Sequence, residues 1–127
     1  MSSPDHYIPG VCNIGPAETR VRRLVGWGGS SAAVVLAAGL IASGAAAPWR
    51  LLVFFPASLG ATGFLQAGMH FCAGYGLRAF SNFGPMGHPP DTVEQAEFRA
   101  LDRRKARSIF AWSLGIGAAA ALAAFLV

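Results

Sequence analysis

Charge is scarce in this chain. Asp, Glu, Lys and Arg make up 13% of its 127 residues, where a soluble domain carries about 25%. Acid is scarcer than base: six Asp and Glu stand against ten Lys and Arg, for a formal net charge of +4. Cysteine is limited to two residues, too few for a fold held by a disulfide framework. The chain carries no phosphate loop, metalloprotease helix or nucleophile elbow. Nucleotide hydrolysis, zinc proteolysis and α/β-hydrolase chemistry therefore lack their motifs. "GYG" at 74–76 ends a hydrophobic segment instead of following a strand, so it is not a dinucleotide fingerprint. Internal repeats, coiled-coil heptads and low-complexity tracts are missing too.

Hydrophobic residues are abundant, at 54%, with a mean hydropathy of +0.46. The charges fall mainly in 1–23 and 78–107. Three long apolar runs remain, at about 24–47, 51–77 and 108–127. Each reaches the roughly 20 residues a helix needs to cross about 30 Å of hydrocarbon, and backbone groups in lipid must be satisfied within the segment. The fold expected is an all-α integral membrane protein with three transmembrane helices. It divides into an N-terminal segment (1–23), a transmembrane hairpin (24–77), a loop with a juxtamembrane helix (78–107) and a third span (108–127).

Arginine counting predicts the orientation. Arg20, Arg22 and Arg23 precede the first span, Arg50 alone occupies the hairpin turn, and Arg78, Arg99, Arg103, Arg104, Lys105 and Arg107 lie in the long loop. The excess places the N-terminus and long loop in the cytoplasm and the C-terminus in the periplasm. Arg20, Arg22, Arg23, Arg104, Lys105 and Arg107, with Trp27, Trp49 and Trp112, are expected to anchor the chain at the interfaces. The first hydrophobic run is longer than the roughly 7–15 residues of a signal-peptide core, so a retained anchor is expected. A pI near 9.8 would point to nucleic acid in a soluble protein. Here the cations flank apolar spans, so the expected partners are membrane lipids and other membrane subunits, with no nucleic acid.

Local signals refine this picture. Pro16 suits the first helical position, with Gly15 as N-cap and Glu18 in the first turn, so a helix should start at Pro16 and run into the first span. Thr92 with Gln95, and Asp91 with Glu94, have capping-box spacing. An amphipathic helix with Val93, Ala96, Ala100 and Leu101 on one face should follow and merge with the third span. Small residues recur four apart: Gly29 and Ala33; Gly68, Cys72 and Gly76; Gly115 and Ala119. Such faces permit close helix packing in lipid, within one chain or between copies.

The chemistry-bearing candidates are Cys12, Cys72, His70 and Met69, with His6 and His88 expected in solvated loops. Cytoplasmic thiols are normally reduced, so Cys12 and Cys72 are read as a thiol pair or as members of a mixed imidazole, thiolate and thioether site, and not as a disulfide. On one helix, His70 and Cys72 would point about 200° apart, which argues against their sharing one ion. Haem ligation by His70 is a further option. The sequence names no cofactor.

Residues 13–77 carry "NIG" at 13–15, then Glu18, Arg20, Arg23 and Gly26, Trp49 in the hairpin, and "HFCAGYGL" around Cys72, Tyr75 and Gly76. This pattern resembles the small two-helix bacterial inner-membrane domain of unknown function found beside rhodanese-type sulfurtransferase domains. Ala73 replaces the proline that commonly follows that cysteine, and the third span lies outside the resemblance. The resemblance implies a helical hairpin and draws attention to Cys72, and it implies no activity. The reading that follows is a small non-enzymatic protein of the bacterial inner membrane, an accessory or scaffolding subunit in a homo-oligomer or larger complex. The alternative is a thiol, sulfur-relay, metal or haem protein using Cys72, Cys12 and His70.

Overall fold

The structure is a computed structural model and describes residues 6–127; residues 1–5 of the N-terminal segment lie outside it. The chain is mostly helical, at 71%. Three helical stretches are long and apolar enough to span a membrane: Pro16–Ala42, Ala47–Met69 and Ala96–Leu126.

Helix α1 (Pro16–Ala42) begins as its sequence predicts, with Gly15 as N-cap, proline in the first turn and Glu18 beside it. Its end is set by Gly44 in the left-handed region at φ 72°. There the Gly44 and Ala45 amides donate to the Ile41 and Leu40 carbonyls, which satisfies the last turn. A 3-10 turn (Ala47–Val53) then leads into α2 (Phe54–Met69).

The second run does not continue to residue 77. It stops at His70, which adopts φ 52° and ψ 42°. The Phe71 amide donates to Gln66 O at 3.0 Å and the His70 amide to Ala67 O at 3.4 Å. This is the glycine-type helix stop made by a histidine. A short α3 (Ala73–Arg78) follows, so His70 and Cys72 do not share a helix and the 200° separation does not apply.

The long loop also differs from expectation. Strands β1 (Phe80–Ser81) and β2 (Asp91–Thr92) pair antiparallel, with Phe80 opposite Thr92. Asp91 and Thr92 are thereby committed to the strand, and neither caps a helix. Helix α4 (Ala96–Leu126) starts after Gln95 and has no side-chain cap. Its inner face is Asp102, Ala106, Ile109, Ser113, Gly117, Ala121 and Ala124. Val93 is buried ahead of the helix, and Leu101 is exposed.

Helix α2 packs most extensively on α1, then on α4. Glycine permits the first contact: a Cβ on Gly29 would strike the Gly60 backbone, and one on Gly63 would strike Gly26. Helix α4 meets α2 where Gly117 faces Ser58 and the Phe54 carbonyl. Gly29 and Ala33 lie on buried faces, and Gly76 is wedged against Phe71 and the Asp102 carbonyl. Gly68, Gly115 and Ala119 are exposed, so these three make no intramolecular seam. Where small residues are this common, their spacing does not select the phase of the face. Two apolar clusters close the interior: Phe71, Ala73, Ala106 and Ile109 at one end, and Ala33, Val53 and Ala124 towards the other.

Candidate functional site

The polar groups gather at the end where α1 and α4 begin. Cys12, Asn13 and Ile14 are fully buried, so this stretch is an internal strand-like segment and not a surface tether. The Asn13 side chain clamps the break between α2 and α3. Its Oδ1 accepts the Cys72 amide at 2.6 Å, and its Nδ2 donates to the Cys72 carbonyl at 3.1 Å. The Asn13 and Ile14 amides donate to His70 O at 3.1 and 3.4 Å, and Asn13 O accepts the Asn82 amide at 2.8 Å. Gln66 Oε1 accepts the Ala73 amide at 2.7 Å. Backbone groups freed where a helix breaks must find partners, and two side-chain amides supply them here.

With its backbone held, Cys72 presents its sulfur to α1. Arg22 Nη2 donates to Cys72 Sγ at 3.0 Å, while Arg22 also pairs with Glu18 one turn earlier and stacks over the Tyr75 ring at 5.6 Å. Arg78 covers the same ring at 5.9 Å. Arg22 therefore turns inward, in contrast to the headgroup role expected of it, whereas Arg20 and Arg23 stay exposed. Thr19 Oγ1 and His70 Nδ1 share a hydrogen bond at 3.3 Å. Met69 packs on the Phe71 cluster.

Cys12 occupies different surroundings. Its thiol donates to His6 O at 3.3 Å, and burial pushes its pKa up, against the Ile8 backbone hydrogen bond and with the Asp102 charge. Asp102 is fully buried on α4. It accepts the Tyr7 hydroxyl at 2.5 Å and the Gly10 amide at 2.8 Å. Burial, then that bond and the carboxylate charge, raise the Tyr7 pKa well above its usual value. Cys12 and Cys72 form no disulfide, and each is engaged with its own partners. Among the described residues, no three His, Cys, Asp or Glu side chains gather as a metal ion would require. His88 stacks over Gly84, and its carbonyl receives Asn82 Nδ2 at 2.8 Å.

At the other end, Arg50 Nη1 donates to Val127 O at 2.8 Å, which brings the hairpin turn and the C-terminus together, opposite the polar end. Trp27, Trp49 and Trp112 are about two-thirds exposed. Tyr7 and Asp102 carry this site with no local motif to reveal them, because they are 95 residues apart, while Gln66 and Asn82 bond to Ala73 and His88, seven and six residues on, without a recognisable capping pattern. Compared with known protein families, curated proteins and solved structures, the chain finds no match.

Proposed function

We propose that this is a multi-pass protein of the bacterial inner membrane, with the polar end cytoplasmic and the C-terminus periplasmic, acting as a non-enzymatic accessory or scaffolding subunit. One observation carries this reading: the groups with chemical potential at the polar end are engaged in holding the chain. Asn13, Gln66 and Asn82 bond backbone, Asp102 receives Tyr7 and Gly10, and His70 meets Thr19. That network makes a stiff cap on three apolar helices, which suits a part that positions other parts. Partner packing fits the outer side of α1, where Gly28, Ala32 and Gly39 are exposed at helical spacing and the space beyond Gly28 and Gly39 is open.

The test is polymer extraction of the tagged chain from its host membrane, followed by mass measurement of the intact particle. The reading expects two or more copies, or a retained partner, and dissociation in a Gly28→Leu/Ala32→Leu variant. A lone monomer in the parent protein would overturn it.

A second reading, a membrane thiol protein, is favoured by the Arg22 to Cys72 contact of 3.0 Å. A guanidinium donor on sulfur is a setting found around reactive thiols. It expects Cys72 to alkylate faster than Cys12 near pH 7, with the difference lost in Arg22→Gln. Equal rates in the parent would sink it.

A further inference from the structure

The outward face of α4 carries a feature that the fold does not use. A shallow hollow of about 450 Å3 is lined by Ala111, Trp112, Gly115, Ile116 and Ala119. It lies opposite the buried face of Ala106, Ile109, Ser113 and Gly117. The glycine and alanines make the depression, and Trp112 and Ile116 form its walls, 65% and 44% exposed. At 1.5 Å per residue the hollow runs about 12 Å along the axis.

Directly above it, on the same face, stand Arg104 and Ser108, with Arg107 and Lys105 to either side. Arg104 and Arg107 are exposed. Among the described residues, no carboxylate pairs with Arg104 or Arg107. After Arg107, α4 carries no further charged residue as far as Leu126, so the arginines mark the edge of its apolar stretch. The two guanidiniums therefore stand at headgroup depth and the hollow just below it.

We propose that this face binds one anionic phospholipid, its phosphate on Arg104 and Arg107 and the upper part of an acyl chain in the hollow beside Trp112. The inference rests on the membrane-spanning reading of α4 and is independent of orientation. Arginine suits a phosphodiester because its planar fork offers paired donors. A zwitterionic lipid supplies the same chain but cancels the headgroup charge, so the site discriminates by charge.

The experiment uses the full chain with Trp27→Phe and Trp49→Phe, leaving Trp112 as the fluorophore, reconstituted in phosphatidylcholine bilayers. Quenching by brominated phosphatidylglycerol is compared with quenching by brominated phosphatidylcholine at equal mole fraction. The expected result is a preference for the anionic lipid of about fivefold or more, since each interfacial cation contributes roughly that factor. Arg104→Gln/Arg107→Gln should bring the ratio to about one with helix content unchanged. Gly115→Leu, which fills the hollow and keeps the charge, should weaken quenching by both lipids.

A ratio of one in the parent overturns the proposal. So does a Trp112 shielded from both lipids in a dimeric particle, with quenching restored by Gly115→Leu, because a second copy then occupies the face. Retaining Trp27 in place of Trp112 separates these failures from failure of the membrane reading: an unquenched Trp27 as well would mean the chain is not in the bilayer.

Discussion

Tyr7 and Cys12 sit on one short segment folded over α4, and both are held neutral. Burial, the bond to Asp102 and its charge raise Tyr7 above its usual 10.0. Burial raises Cys12 above 9.0, the Ile8 backbone opposing and the Asp102 charge adding. Because both folded pKa values exceed the unfolded ones, the stability they contribute is complete below about pH 9 and is lost as pH rises through the folded values. Denaturant midpoints followed by circular dichroism should hold steady from about pH 7 to 8 and fall above about pH 9. In Tyr7→Phe/Cys12→Ser the fall should shrink. A midpoint that rises with pH in this range would contradict the assignment.

At the scale of elements, two helix ends use residues that the left-handed region disfavours. His70 and Ala79 have φ of 52° and 62°. Ala79→Gly should release about 1–2 kcal/mol of local strain against about 0.5–1 kcal/mol of added chain entropy, a net gain of up to about 1.5 kcal/mol. His70→Gly relieves the same strain but loses the hydrogen bond to Thr19, worth about 1 kcal/mol, and should be close to neutral. Thermal unfolding of the pair separates the two cases.

The α1 to α2 contact makes a sharper demand. Gly29→Ala places a methyl group against the Gly60 backbone and should cost about 2 kcal/mol. Gly68→Ala meets open space and should be neutral or slightly stabilising. Equal effects in detergent unfolding would mean that this glycine seam is misplaced. The seam also marks what sequence can and cannot say. Pro16 and Glu18 announce the start of α1 through local chemistry. The end of α2 is silent, because a histidine stands where the helix-stop motif normally shows glycine. The capping signal at Thr92 misleads, because that residue pairs with Phe80 across a hairpin.

At the scale of the molecule, the three apolar runs are legible because lipid imposes one solution on each of them. The polar end is not, because its bonds join Asn13 to Cys72 across 59 residues and Tyr7 to Asp102 across 95. No window along the chain contains both partners. Arg22 shows the limit most clearly: three neighbouring arginines read alike in sequence, yet one turns inward to Glu18, Cys72 and Tyr75. Only the fold separates the arginine that supports the cap from the two that stay exposed.

The proposed topology turns on which side of the membrane that cap occupies. The measurement that tests this most directly is a pair of C-terminal fusions after Val127 in a bacterial host, one to alkaline phosphatase and one to green fluorescent protein. Alkaline phosphatase is active in the periplasm, and green fluorescent protein exported there unfolded stays dark. An active phosphatase with a dark fluorescent fusion is the predicted result. A bright fluorescent fusion with inactive phosphatase would put the C-terminus in the cytoplasm and contradict the account.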